Sequence, residues 1–266
     1  MSPFRAKRRK IDKLDFIIAG AQKSGTTALH FYLQKHPQIT LGDQQEIHFF
    51  DNDEFFAGPV DYELLHRHYP PVTRSTRLRD ATARQAIAGD CTPSYLYHRP
   101  AMERIWNYNP AIKLIVLLRN PVERAFAHWN MQRFKNREPL DFLQALKQEA
   151  SRMQGATAVE ARRIAYVDRG RYSEQLERVF KFFPREQVKL VKFEHFRDDN
   201  RDTLKSIFSF LGVRPLRVGR SKDRNVVPYE REMSAEERKY LYDIFADEIA
   251  SVEQMLGWDC SDWKTV

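Results

Sequence analysis

A short loop between a predicted strand and a predicted helix carries residue types that bind phosphate. The uncharged apolar run at 16–19 predicts a strand buried on both faces of a sheet, and the helix begins at Thr26. Because Gly20 and Gly25 bound the loop, its N–H groups and those of the first helical turn can face one concavity, where the helix dipole favours negative charge. Lys23 adds a positive charge, and hydroxyl donors are supplied by Ser24, Thr26 and Thr27. The loop therefore predicts an anion site.

The spacing in this loop differs from that of loops that bind Mg-ATP. Those loops read G-x-x-x-x-G-K-[ST], with the lysine directly after the second glycine. Gly20 and Gly25 have the required separation, but Thr26 occupies the lysine position and the lysine lies at 23. The pattern favours a phosphate cradle that is not built around Mg-ATP.

A second pair of reactive side chains follows the first predicted helix. In the segment QEIHFFD at 45–51, an extended backbone places Glu46 and His48 on one face. Either side chain could withdraw a proton from a hydroxyl group, and His48 could instead orient Glu46. The remaining histidines lack the spacing of metal ligands, so we expect no metal site.

Strands and helices alternate along the chain. Further strands are predicted at 86–90, 113–118 and 187–193, and helices at 26–36, 62–68, 100–108, 122–135, 140–154, 173–183, 203–211 and 234–256. This alternation predicts one α/β domain over 15–266, a P-loop-like parallel sheet with helices on both faces, after a basic tail at 1–14. Such sheets bind ligands at the carboxyl ends of their strands, where both the 20–27 loop and Arg119 are expected.

Composition limits the classes of partner. The net charge of +8 over 266 residues calls for an anionic partner, but the basic residues are interleaved with 36 acidic ones. The cluster at 5–10 is typical of a solvated tail, so a polyanionic small ligand is expected rather than nucleic acid. No run approaches the ~20 apolar residues of a membrane span. With two cysteines and no signal-peptide pattern, the chain is expected to be cytoplasmic, and its oligomeric state is left open.

At this point the sequence resembles a known family. QKSGTT after an apolar strand resembles the 5′-phosphosulfate loop of sulfotransferases that use 3′-phosphoadenosine-5′-phosphosulfate (PAPS), and the likeness extends over most of 15–260. QEIHFFD resembles the K-E-x-H-F-F motif of glycan-type members, with Gln45 in place of the lysine. LIVLLRNP and the G-x-Y at 170–172 follow in the family's order. The resemblance implies transfer of a sulfuryl group from PAPS, without a metal, to a hydroxyl of a glycan or another alcohol.

The resemblance also implies residue roles. Lys23 would stabilise charge on the leaving phosphate, Glu46 would be the base with His48 as its rival, and Arg119 would bind the 3′-phosphate. The residues expected to bind the donor are Gln22, Lys23, Ser24, Gly25, Thr26, Thr27, Arg119, Lys222 and Arg224. Those expected at the acceptor are Glu46, His48, Tyr95 and Tyr172, although a core position for Tyr172 fits equally well.

Two positions depart from the family pattern. Ala127 stands eight residues after Arg119, where the family has a serine that contacts the 3′-phosphate, and Cys91 stands where a lysine is frequent. Two alternatives also stay open. A P-loop kinase could use Asp90 to bind magnesium, and a non-catalytic protein could bind a nucleotide or nucleic acid through its basic surface.

Overall fold

A parallel sheet forms the centre of the molecule. The computed structural model describes residues 11–70, 86–216 and 228–264, and within them five parallel strands pair in the order β2-β3-β1-β4-β5. The strands are β1 Phe16–Gly20, β2 Ile39–Leu41, β3 Ile87–Cys91, β4 Lys113–Leu118 and β5 Val188–Lys192. The predicted parallel α/β fold is confirmed.

Helices connect these strands and cover both faces of the sheet. They are α1 Thr26–Gln34, α2 Glu63–His66, α3 Ala101–Tyr108, α4 Pro121–Phe134, α5 Phe142–Lys147, α6 Glu149–Gln154, α7 Ala158–Ile164, α8 Tyr172–Phe182, α9 Phe193–Asp198, α10 Asn200–Leu211 and α11 Ala235–Leu256. One apolar core packs on each face, with Ile17 and Val116 on one side and Ile18 and Ile115 on the other. None of the helices in the described ranges has the length and apolarity needed to cross a membrane.

The strand order creates a crevice at the carboxyl end of β1. The chain passes from β1 to the edge strand β2, returns to β3 beside β1, and then places β4 on the other side of β1. Ligands bind at such reversals of strand order in parallel sheets, because the loops after the two neighbouring strands diverge there. The predicted phosphate loop follows β1 directly.

Three helical regions differ from the sequence predictions. The predicted helix 140–154 is two helices that meet at Gln148, and this arrangement buries Glu149, whose carboxylate accepts hydrogen bonds from the backbone N–H groups of Val167 and Asp168. Helix α7 was not predicted, although Thr157 and Glu160 form a capping box at its start. Helix α9 was also missed, because it begins directly after β5 without an intervening loop.

Candidate active site

The loop after β1 has the geometry of an anion cradle. Gly25 is the N-cap of α1 and has φ +85°, a left-handed conformation that favours glycine. A Cβ at this position would lie 2.8 Å from the Phe193 ring, so the packing also requires glycine. Among the residues that the structure describes, no side chain caps the helix, and the N–H groups of its first turn are therefore available to a bound anion.

Positive charge converges on this cradle. Lys23 lies in the loop with φ +69°, and burial together with neighbouring cations lowers its pKa to about 8. The cations that contribute, in decreasing order, are Arg119, Lys135 and Arg124, while Glu46 partly offsets them. A half-buried ammonium among other cations is costly without a counter-charge, so this arrangement favours binding of a polyanion.

Arg119, directly after β4, is held beside the cradle. Its guanidinium donates to the Lys23 carbonyl oxygen at 3.4 Å and lies over the Phe193 ring, 5.1 Å from the centroid. A weak ion pair of 3.7 Å joins it to Glu123, and the Tyr172 hydroxyl donates to its backbone oxygen at 2.9 Å. These contacts fix the backbone and leave most of the guanidinium fork for a ligand.

A cleft of about 730 Å³ runs from the cradle along α4. The predicted site residues that line it are Gln22, Lys23, Gly25, Thr26, Thr27, Glu46 and Arg119. Ser24 is buried beneath the loop, and Ala127 lines the cleft at the position where a hydroxyl was expected. The structure therefore brings the loop after β1, Glu46 and Arg119 to one cavity, whereas His48 is not among the described residues that line it.

Segment 45–51 is tied to the cradle and carries a hydrogen-bonded relay. The Gln45 amide donates to the Thr27 hydroxyl at 2.8 Å, which joins this segment to the first turn of α1. His48 Nε2 lies 3.2 Å from Glu46 Oε2, and its Nδ1 lies 2.9 Å from Asp51 Oδ2. Because both ring nitrogens face carboxylate oxygens, both are donors and the ring is an imidazolium.

The two carboxylates explain the protonation of His48. The hydrogen bond to Asp51 and then that to Glu46 raise the pKa of His48 to about 10 against the opposing effect of burial. An imidazolium cannot accept a proton, so this geometry leaves Glu46 as the proton acceptor of the pair. Asp51 is itself held by Arg162, whose Nη1 lies 3.0 Å from both its backbone oxygen and its Oδ2.

Residues at the end of β3 and directly after it hold segment 45–51 in place. The Thr92 hydroxyl accepts a hydrogen bond from the Ile47 N–H at 3.1 Å and donates to Asp90 Oδ2 at 3.0 Å. The Tyr95 hydroxyl accepts from the Phe49 N–H at 3.0 Å. Burial raises the pKa of Asp90 to about 6 even though the hydroxyls of Tyr95 and Thr92 stabilise its charged form.

Four of the predicted site residues are either buried in the core or lie outside the described part of the chain. Tyr95 and Tyr172 are fully buried, and their hydroxyls bind the backbone of the 45–51 segment and of Arg119, so their contact with an acceptor stays a prediction. Lys222 and Arg224 lie outside the described residues, as does most of the predicted basic tail. Over 11–70, 86–216 and 228–264, no cluster of three or more His, Cys, Asp or Glu residues could hold a metal ion.

Sequence reasoning missed several supporting residues. Asp51 ends the QEIHFFD motif, and its spacing of three residues from His48 was the available signal. Thr92 contacts the 45–51 segment from the loop after β3, more than forty residues further along the chain. Arg162 reaches Asp51 from α7, more than a hundred residues further along the chain, and no local pattern indicates that contact.

Comparison with known proteins defines the class. The sulfotransferase domain family matches residues 13–242. A solved sulfotransferase from Alicyclobacillus acidocaldarius superimposes with a TM-score of 0.75 at 30% identity and covers 96% of this chain and 100% of its own. The chain therefore belongs to the sulfotransferase family, as the sequence motifs predicted.

Two curated relatives carry more specific names. Heparan sulfate glucosamine 3-O-sulfotransferase 5 of Mus musculus is 30% identical over 75% of this chain. Membrane-associated sulfotransferase kil1 of Dictyostelium discoideum is 24% identical over 92% of it. The chain spans 53% of the mouse protein and 65% of the Dictyostelium protein. Glycan-type sulfotransferases are thus among its relatives, as predicted.

Proposed function

We propose that this protein transfers a sulfuryl group from PAPS to an acceptor hydroxyl. The observation that carries the proposal is that Lys23 and Glu46 line one cleft, with the anion cradle at the same end and Arg119 beside it. In the reaction the bond from sulfur to the bridging oxygen of the phosphosulfate breaks. A new bond forms from sulfur to the acceptor oxygen, the acceptor proton passes to Glu46, and 3′-phosphoadenosine-5′-phosphate (PAP) leaves.

The cradle fits the 5′-phosphosulfate end of this donor. Gly25 permits the left-handed turn that starts the uncapped helix α1, and Lys23 lines the same cleft as this helix N-terminus. Negative charge develops on the bridging oxygen as the S–O bond breaks, so an ammonium already in place stabilises the transition state more than the ground state. We assign Lys23 this role.

Glu46 is the proposed base, and His48 positions it. The imidazolium is bound on its other side by Asp51, which fixes the ring and presents Nε2 to Glu46 at 3.2 Å. A carboxylate held by one hydrogen bond keeps lone pairs for the acceptor hydroxyl. The tether from Gln45 to Thr27 sets the separation between this base and the cradle.

Arg119 is proposed to bind the 3′-phosphate. A fork of guanidinium N–H groups suits the terminal phosphate, and the Phe193 ring and the Tyr172 hydroxyl already restrict its conformation. Ala127 leaves one hydroxyl contact unmade, which is worth about 1–3 kcal/mol for a bond to a charged group. We therefore expect discrimination between PAP and AMP to rest mainly on Arg119.

The acceptor class is proposed by analogy with the relatives. Proteins named for action on heparan sulfate glucosamine are among them, so a glycan hydroxyl is the first acceptor to test. Met131, Phe134 and Lys135, at the end of α4, also line the cleft. An aromatic side chain beside a cation suits a sugar ring that carries a negative substituent.

The test combines ligand binding with turnover. PAP should raise the melting temperature with or without EDTA, and more than AMP or ATP does, whereas stabilisation by Mg-ATP alone would contradict the proposal. Transfer from sulfur-labelled PAPS is then followed with a panel of glycan and simple alcohol acceptors. Lys23→Ala and Glu46→Gln should lower the rate of transfer by about 100-fold or more, while the exposed controls Lys13→Ala and Glu54→Gln should retain it.

A further inference from the structure

A second cavity of about 290 Å³ lies beside Arg162, the arginine that contacts segment 45–51, and the described residues that line it differ from those that line the donor cleft. It is open to solvent and is lined by the turn at 97–100, the helix Ala158–Ile164, Asp168 and the start of the helix Tyr172–Phe182. We call it the arginine cavity, because its walls include Arg99, Arg162, Arg171 and Arg178. Nothing in the proposed transfer reaction uses it.

The charge of this cavity is not balanced by its own walls. Arg162 is already paired with Asp51, so the lining carboxylates Asp168 and Glu174 face three further arginines. Asp168 also accepts a hydrogen bond from the Tyr97 hydroxyl at 2.5 Å. The Nε of Arg178 is buried and has no hydrogen-bond partner among the described residues. Burial and then the charge of Arg99 lower the pKa of Arg178, and the opposing effects of Glu174 and Asp168 are smaller.

We propose that the arginine cavity binds an oxyanion group, namely a sulfate, phosphate or carboxylate. Such a group accepts several N–H donors from guanidinium forks at once, and it would satisfy the buried Nε of Arg178. The cavity volume is sufficient for one such group together with part of the molecule that carries it.

Contacts of a single side chain connect the cavity to the proposed base. Arg162 lines the cavity and also holds Asp51, which in turn holds His48 against Glu46. An oxyanion bound here therefore changes the charge around the arginine that positions the relay. The occupant is either an acidic group of the acceptor, which this site would anchor, or a free inorganic oxyanion that alters turnover.

Binding is tested first, without any turnover. Inorganic sulfate is titrated by calorimetry into the full chain with and without PAP, because PAP would displace sulfate from the donor cleft and leave the arginine cavity open. The double variant Arg99→Ala with Arg178→Ala should weaken the PAP-insensitive binding at least tenfold. Arg163 is the control, because it is exposed, lies on the same helix as Arg162 and does not line the cavity. Arg163→Ala should leave the PAP-insensitive affinity for sulfate within twofold of the wild-type value.

Crystals soaked in selenate locate the ion directly. An anomalous peak within hydrogen-bond distance of Arg178 Nε supports the proposal. Absence of a peak, or sulfate affinity that is unchanged in the double variant, overturns it. Arg178→Lys keeps the charge but not the fork, and it should weaken sulfate binding while leaving the melting temperature unchanged, which separates loss of the site from loss of the fold.

Turnover measurements, which rest on the proposed function, then distinguish an oxyanion carried by the acceptor from a free inorganic oxyanion. If the acceptor carries the anion, the double variant should raise KM at least tenfold for acidic acceptors, with KM for PAPS and for neutral acceptors unchanged. If the anion is free, added sulfate should change kcat of the wild-type protein on a neutral acceptor and have no effect on the variant. Sulfate binding with no detectable transfer would contradict the proposed function and leave the site itself supported.

Discussion

The pH dependence of sulfuryl transfer distinguishes Glu46 from His48 as the base. Hydrogen bonds to Asp51 and Glu46 raise the pKa of His48 to about 10, so roughly one imidazole in a thousand is neutral at pH 7. A mechanism that needs neutral His48 would accelerate about tenfold for each pH unit, or about 100-fold between pH 6 and pH 8. A mechanism in which Glu46 accepts the proton predicts a change below about twofold over that range.

The assay is kcat/KM for the acceptor at saturating PAPS, which reports the ionisations of the donor complex. Saturation matters because Lys23, with a pKa near 8 in the free protein, would otherwise add its own titration to the profile. Glu46→Gln should lower the rate by about 10²–10⁴-fold across the whole range. His48→Gln should lower it less and leave the profile flat.

A wild-type rate that climbs tenfold per pH unit, with the slope lost in His48→Gln, would refute this reasoning. Glu54→Gln is the matched control, because that carboxylate is exposed, lies outside the cleft and belongs to the same region of the chain. It should reproduce the wild-type profile.

Three further outcomes follow from the geometry. PAP affinity should fall by up to tenfold per pH unit above about pH 8, because Lys23 with its lowered pKa loses its charge there, and calorimetry should show no such fall in Lys23→Ala. Gly25→Ala places a Cβ 2.8 Å from Phe193 at φ +85°, which should cost about 1–3 kcal/mol in denaturant unfolding and abolish PAP binding. Asp90→Asn should weaken the anchor of Thr92 and lower kcat with little change in KM for PAPS at an unchanged melting temperature, whereas loss of the fold would lower the melting temperature as well.

The parts of the fold that the sequence predicted are those with strong local patterns. Uncharged apolar runs gave the buried strands β1 and β4, and proline, glycine and capping residues marked the ends of the long helices. The helix break at Gln148 follows from hydrogen bonds of Glu149 to residues 167 and 168, which lie nearly twenty positions away. Periodicity over a short window contains no information about such contacts.

The same distinction applies to the site. The cradle and the Glu46–His48 pair were predictable because each is a short motif with its own geometry. The protonation of His48 was not predictable from the sequence. It depends on a turn at His48, where φ is +57°, which brings the Asp51 carboxylate against the imidazole ring. The support from Thr92 and Arg162 depends on strand order and on helix packing, which bring distant segments under the same loop.

A crystal structure with PAP tests the central claim most directly, namely that one nucleotide spans the cleft from Lys23 to Arg119. The 5′-phosphate should lie within about 3.2 Å of Lys23 Nζ and of the N–H groups at the start of α1, with the 3′-phosphate at the same distance from the Arg119 guanidinium. A 5′-phosphate away from Lys23, or a nucleotide bound outside this cleft, would contradict the account.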